Sequence, residues 1–333
     1  MYIVNSYPIA VLFCVVTMLC WGSWANTQKL ASKEGSFPLF YWDYTLGIIL
    51  LSLIFGITLG SSGSAGQTFF ANLSQAAPNA ILMALLGGII FNIANLLLVA
   101  AIEIAGMAIA FPIGIGLALV LGVFNNYLPN PGDYNSVYLF LGVGLVTLAI
   151  VINALAYKKV TQGRKSTKGI LLSLVAGLLM SFFYRFVAQS MSPDLINIQP
   201  GTFTPYAAVF VFSIGILLSN FLFNYYFMKK PVAGLPVSYK MYFTQGTPKL
   251  HLVGVLGGLV WSLGMTLNIM AGDVAGYAIS YGLGQGATLV AAIWGVFVWK
   301  EFRNAPKGTN LLLTFMFASF VIGIVLIILA NQS

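Results

Sequence analysis

The chain has 333 residues, of which 59% are hydrophobic and only 7% charged, and 15 Lys and Arg against 7 Asp and Glu leave a net charge of +8. Soluble domains carry about a quarter charged residues, so this composition excludes a water-facing globular surface and indicates one solvated by lipid. The positive balance does not mark a nucleic-acid patch, because the basic residues are scattered over loops between apolar runs.

Apolar stretches about 20 residues long, enough to cross hydrocarbon as a helix, recur along the whole chain. They are predicted at roughly 8–28, 37–60, 79–102, 105–128, 134–157, 168–190, 203–228, 250–271, 275–299 and 309–331. The fold class expected is an all-α integral membrane protein of ten transmembrane helices. Span 1 has no basic residue before it and no small-residue cleavage site, so it reads as a retained helix rather than a signal peptide. Its cysteines, Cys14 and Cys20, lie on one helix without facing each other and make no disulfide framework. Pro112, Gly114 and Gly116 inside span 4 are ordinary for membrane helices, where small residues let backbones approach closely.

The loops carry an orientation. Lys29 and Lys33 follow span 1; Lys158, Lys159, Arg164, Lys165 and Lys168 surround the link between spans 5 and 6. Lys229, Lys230, Lys240 and Lys249 lie between spans 7 and 8, and Lys300, Arg303 and Lys307 between spans 9 and 10. The loops after spans 2, 4, 6 and 8 hold no basic residue. By the positive-inside rule the odd loops are cytoplasmic and both termini face outside.

The stretch "EIAGMAIAFPIGIG" from Glu103 returns 170 residues later as "DVAGYAISYGLGQG" from Asp273. Gly87-Gly88 likewise returns as Gly257-Gly258, and Phe91 and Phe124 fall opposite Trp261 and Trp294. Five spans on either side of the link force the second half to enter the membrane from the opposite face. The reading is an inverted-topology repeat: residues 1–157 as the first five-helix repeat, 158–167 as a basic cytoplasmic linker, 168–333 as the second repeat. Glu103 and Asp273 are expected in turns just ahead of the next helix, where a carboxylate meets the positive end of the dipole and accepts backbone N–H bonds. On opposite membrane faces they are also candidate gate hinges.

Polar and aromatic groups at membrane depth need partners or a water-filled cavity. Asn92 and Asn95 in span 3 are three apart and share a helix face; their amides both donate and accept, which suits a ring with alternating polar edges. Helix–helix hydrogen bonding is the plainer role for either amide. Trp21 in span 1, Trp261 in span 8 and Tyr281 in span 9 could stack on such a ring, and Gln285 sits between two glycines that let another group come close. Trp24, nearer the cytoplasmic end, reads as a packing or interfacial residue. Asp43, about two turns into span 2 between Trp42 and Tyr44, is either a proton-coupling site or a permanently charged, hydrogen-bonded carboxylate near a helix N-terminus. Arg185 in span 6 either binds a substrate carbonyl or an acid, or snorkels to the headgroups. The glycine runs lie inside helices with no Lys-Ser/Thr after them, so no phosphate loop is present. The lone histidine, His251, stands at a cytoplasmic helix start, and neither a metal site nor a Ser-His-Asp set is expected. No cofactor is expected.

Read in order, "WGSWANTQKL" from Trp21, "FYWDYTLGIIL" from Phe40, "FFANLSQAAPNAILMALLGGIIFNIANLLL" from Phe69, "SFFYRFVAQSMSPDL" from Ser181, "AGDVAGYAIS" from Ala271 and "IWGVFVWKEFR" from Ile293 resemble the ureide permease family. That family belongs to the drug/metabolite transporter superfamily, and the glucose/ribose and rhamnose porters of the superfamily are similar more weakly. The resemblance implies ten helices in two inverted halves, no enzymatic activity, and proton-coupled uptake of ureides and nucleobases such as allantoin, uracil and xanthine. Partners implied are a small molecule, a proton and membrane lipid, with a homodimer left open. Plant members carry a long central loop where this chain has a short basic link. That link suits a bacterial inner-membrane protein and leaves the substrate less determined than the fold. A sugar or nucleoside importer of the same fold is the nearest alternative, with a non-transporting scaffold or receptor behind it.

Overall fold

The computed structural model describes residues 1–31, 36–160, 166–232 and 234–332. Lys33, Arg164 and Lys165, and with them the middle of the expected linker, lie outside the described residues. Among those residues ten helices are long and apolar enough to cross a membrane. They are span 1 (Tyr7–Ala31), span 2 (Phe37–Ile57), span 3 (Pro78–Ala105), span 4 (Ile109–Tyr127), span 5 (Ser136–Val160), span 6 (Thr167–Gln189), span 7 (Pro205–Lys229), span 8 (Pro248–Ala275), span 9 (Tyr277–Val298) and span 10 (Thr309–Ile328). The described residues form no strand, only the isolated bridges Tyr134–Asn331 and Met191–Phe203. The all-helical class and the ten spans are borne out.

Local chemistry sets the boundaries. Spans 2, 3, 7 and 8 begin with proline in the first turn, where its fixed φ fits and its missing N–H is not needed. Thr204 and Thr247 cap spans 7 and 8 by accepting from Ala207 N and Leu250 N. Two spans are interrupted: span 1 breaks at Trp24, and span 9 bends at Gly286 and ends in a π-helical turn over Trp294–Val298. Two short helices, Phe69–Ser74 and Tyr239–Gln245, lie in the loops.

Spans 3 and 4, and spans 8 and 9, turn on single glycines with matching backbones: Gly106 at φ 80, ψ 156 and Gly276 at φ 78, ψ 144. This region is nearly closed to residues with a Cβ. The expected role of Glu103 and Asp273 as acids ahead of the next helix is corrected here. Both belong to the last turn of the preceding helix, and the cap positions of spans 4 and 9 are the glycines, which make no side-chain cap bond. A glycine that reverses the chain in one residue leaves no loop position for the acid.

The helices of the two halves interlock. Span 3 packs on spans 6 and 7, span 8 on spans 1 and 2, span 4 on span 6, span 9 on span 1, and span 5 on span 10. Glycine permits the closest crossings. A Cβ added at Gly88 would stand 2.0 Å from the Phe212 carbonyl oxygen, and one at Gly258, 170 residues on, 2.0 Å from that of Tyr44. Facing them, Gly215 lies against the Leu85 carbonyl and Gly47 against that of Val255.

Both termini lie at one end of the bundle, with the loops after spans 2, 4 and 6. The Met1 amine donates to Ala65 O at 2.6 Å, Asn135 N to Ala330 O at 2.7 Å, and Asn72 holds Thr202 and Thr204. The opposite end carries the basic loops and is termed the basic face below.

Candidate functional site

A cavity of about 440 Å³ opens at the basic face among spans 1, 3, 5 and 9. Its walls include Trp24, Trp294 and Trp299, with Asn95 at the inner end and Lys29, Glu103, Tyr157 and Glu301 at the mouth. The helix interruptions put the indoles there. Trp24 is the residue at which span 1 breaks, and the π-turn joins Trp299 N to Trp294 O across five residues. Each ring N–H of the other two is engaged at its edge: Trp294 Nε1 donates to Ser23 Oγ at 2.9 Å and Trp299 Nε1 to Asn26 Oδ1 at 2.6 Å. At the mouth, Lys29 Nζ lies 4.2 Å from the Trp299 ring centroid and 2.6 Å from Glu301 Oε1, and the Tyr157 hydroxyl donates to Glu301 Oε2 at 2.5 Å. A cation on an indole face adds attraction to the ion pair.

Asn95 is oriented from one side. Its Nδ2 donates to the Tyr41 hydroxyl at 3.1 Å, while no described residue donates to its Oδ1. Asn153, also in the wall, has a buried Oδ1 with no partner among the described residues. A wall of indoles with a few amide groups suits a flat, neutral molecule with N–H and C=O edges.

Deeper in the bundle stands an aromatic floor. Trp21 and Trp261 stack with centroids 5.8 Å apart, Phe91 lies 4.4 Å from Trp261, and Phe212 stacks on Trp261 at 6.0 Å. Trp21 Nε1 donates to Trp261 O, and Gly264 and Gly284 leave room for its ring. Asn92 donates to Ser219 Oγ at 2.9 Å, and its Oδ1 is buried without a partner among the described residues, as is the Tyr44 hydroxyl. Of the residues singled out in the sequence, Asn95 thus lines the cavity and Glu103 its mouth, while Trp21, Trp261 and Asn92 form the floor. Tyr281 donates to the carbonyls of Ala118 and Met180, tying span 9 to spans 4 and 6, and Gln285 is buried beyond it. Arg185 donates to Asn125 O at 2.7 Å, joining span 6 to span 4, and Asp273 belongs to the termini end. Trp24, read as a packing residue, lines the cavity.

Asp43 has a setting of its own. It is 4% exposed and accepts two side-chain hydrogen bonds, from the Tyr242 hydroxyl on Oδ1 at 2.5 Å and against His251 Nδ1 on Oδ2 at 2.8 Å. Burial, and then the adjacent carboxylate, push the Tyr242 hydroxyl above the usual phenol range, so it remains a donor. A second cavity of about 260 Å³ borders the group, between span 2 and the short helix Tyr239–Gln245. Sequence reading missed His251 and Tyr242; the one available signal was a single histidine among neighbouring glycines. Asp43 rests on side chains from two other helices rather than on the N-terminus of its own.

The comparisons with known proteins agree along the chain. The sequence model of the ureide permease family matches residues 40–167 and 158–330, two pieces that meet over the basic link. Ureide permease 1 of Arabidopsis thaliana is 25% identical over 99% of this chain and 99% of its own length. Ureide permease 2 of the same plant is 24% identical over 96% of each, and a probable ureide permease A3 of Vigna unguiculata 22% identical over 92% of this chain and 99% of that one. The first alignment runs over 389 positions against 333 residues here, so that relative carries additional residues. A protein of known crystal structure superposes with a TM-score of 0.63 at 17% identity, over 98% of this chain and 100% of the other, which speaks for the fold alone. Ten membrane spans and family matches along most of the chain make this a multi-pass membrane transporter rather than an enzyme, and the chain belongs to the ureide permease family.

Proposed function

We propose that this permease imports a small neutral ureide or nucleobase of the allantoin, uracil or xanthine type together with a proton. The observation that carries the reading is the 440 Å³ cavity, in which indole faces surround an Asn95 carbonyl that has no donor among the described residues. A planar ring stacked on Trp24 or Trp294 and donating an N–H to Asn95 satisfies both. Asp43 is the proposed proton site. The aromatic floor of Trp21, Phe91, Phe212 and Trp261 is the barrier that parts for passage, and the cavity above it opens to the basic face.

Transport then proceeds by alternating access between two inverted five-helix halves, residues 1–157 and 168–333. The paired glycine crossings and the matched turns support this reading, since the close crossing at Gly88 recurs at Gly258 and the positive-φ turn at Gly106 recurs at Gly276. Under the positive-inside rule the basic face is cytoplasmic and both termini are outside, in a bacterial inner membrane.

Uptake of radiolabelled uracil and allantoin into proteoliposomes, with and without an inward proton gradient, tests the proposal. Gradient-driven uptake blocked by heterocycles and not by glucose, ribose or a nucleoside is expected. Block by a sugar or nucleoside without proton dependence overturns both substrate and coupling and leaves the fold.

A further inference from the structure

The chain's single histidine completes the Asp43 group in a way that bears on how a proton is held. Three elements meet there: Asp43 from span 2, Tyr242 from the short helix Tyr239–Gln245, and His251 from the first turn of span 8. The carboxyl side chain is 6% exposed and the imidazole 31%, and both border the small cavity, so the ring is the more water-accessible member of the pair. The ring packs edge-on against Tyr242 with centroids 4.6 Å apart.

Glycines fix the geometry on both sides. A Cβ at Gly254 would stand 2.4 Å from Asp43 Cβ, and one at Gly246 2.2 Å from His251 Nε2. Gly246 has φ −66 and ψ 128, a conformation open to any residue. Its glycine therefore answers to the room needed by the ring and by the Tyr242 carbonyl oxygen, which would stand 2.4 Å from the added Cβ, not to backbone strain.

We propose that the coupling proton is carried by the Asp43–His251 pair as a unit, with His251 as the water-facing exchange group and Tyr242 as the positioning residue. This rests on the proton-coupled reading above. In the unloaded state the neutral ring donates Nδ1–H to Asp43 Oδ2, Tyr242 donates to Oδ1, and the pair carries one negative charge. A hydronium ion in the small cavity gives its proton to Nε2 and leaves as water. The pair becomes an imidazolium–carboxylate with no net charge, and release reverses the step. An uncompensated charge is far more costly in a desolvated site than a paired one, so loading favours the closed seat of span 2 on span 8. Span 2 transmits this inward: Tyr41, two residues before Asp43, accepts from Asn95, and Tyr44, the next residue, packs on Trp24 and Trp261. Other titratable groups on the elements packed there are Tyr41 and Tyr44 on span 2, Tyr239 and Lys240 on the short helix, Lys249 in the first turn of span 8, and Tyr225, Tyr226, Lys229 and Lys230 towards the end of span 7. Tyr242 is the one that bonds the carboxylate.

Two measurements test the proposal. In proteoliposomes, His251→Gln and Gly246→Ala are expected to lose accumulation of uracil or allantoin against a gradient while keeping counterflow exchange, which a purely structural defect would also abolish. Tyr242→Phe is expected to lower accumulation without abolishing it. The second measurement needs no substrate: because the chain has one histidine, ¹⁵N-histidine labelling yields one ring to observe. That ring is expected as the Nδ1–H tautomer in the unloaded protein, as the bond to Asp43 Oδ2 requires, and Gly246→Ala is expected to abolish the tautomer preference. A His251→Gln transporter that still accumulates substrate overturns the assignment, as does a ring found as the Nε2–H tautomer in the unloaded protein. If wild-type protein moves neither compound but the ring behaves as described, the substrate reading fails and the proton site stands.

Discussion

The twin glycine crossings yield a quantitative expectation. At Gly88 and Gly258 an added Cβ would lie 2.0 Å from a backbone carbonyl oxygen of the facing helix, with a backbone nitrogen of that helix 2.9 Å and 2.8 Å away respectively. Real Cβ atoms come no nearer than 3.0 Å, so each pair of helices must part by about 1 Å, and the obstacle is backbone that cannot rotate aside. Overpacking of this kind costs about 1–3 kcal/mol, against which the better helix propensity of alanine returns up to about 1 kcal/mol. Gly88→Ala and Gly258→Ala should therefore each destabilise by about 1–2 kcal/mol, by similar amounts, because they perturb the same crossing in two places. Gly144→Ala, with nothing within 4 Å, supplies the control and should be neutral or slightly stabilising. Thermal unfolding of the detergent-solubilised protein, followed by tryptophan fluorescence, reads all three. A Gly258→Ala protein as stable as the Gly144→Ala control would refute the argument, and unequal losses at the two crossings would refute their equivalence.

Asn95→Leu removes the open acceptor while filling the same space. One hydrogen bond is worth about 0.5–1.5 kcal/mol, so the KM for uptake should rise severalfold with the maximal rate less affected. Lys300 is the one non-glycine residue with positive φ among those described, at 53°; Lys300→Gly should raise stability by about 1 kcal/mol in the same unfolding assay. Asp194, in the loop between spans 6 and 7, accepts from Ile196 N, Asn197 N and the Asn197 side chain, and these bonds hold its carboxyl below the usual carboxylate range. Since the folded value is depressed, the turn is stabilised at pH above the unfolded value and loses that support as pH falls through the folded one; lower protection of the Ile196 and Asn197 amides in acid, measured against their intrinsic exchange rates at the same pH, is the expected sign.

The spans were legible because hydrocarbon thickness imposes a run length that composition cannot conceal. The breaks at Trp24 and Gly286 were not, since a residue that ends a helix and one that continues it look alike in an apolar run. Asp43 was visible as a charge at depth, but His251 lies 208 residues away, and no periodicity links residues that only tertiary packing brings together. Glu103 and Asp273 were misplaced by one element for a related reason: an acid three residues before a glycine fits the end of one helix as well as the beginning of the next. Asn92 and Asn95 share a face as their spacing implied, yet they bond different neighbours, span 7 and span 2.

The interlocked packing has a consequence for how the chain is made. Synthesis delivers spans 1 to 5 to the bilayer first, but the surfaces that receive spans 1, 2 and 3 belong to spans 6, 7 and 8. Until those emerge, Asn92 lacks Ser219, Asp43 lacks both Tyr242 and His251, and the grooves at Gly47 and Gly88 hold lipid. The early product is an inserted but unassembled set of helices, and a chain cut at the link should mature only when its two pieces are produced together in one membrane.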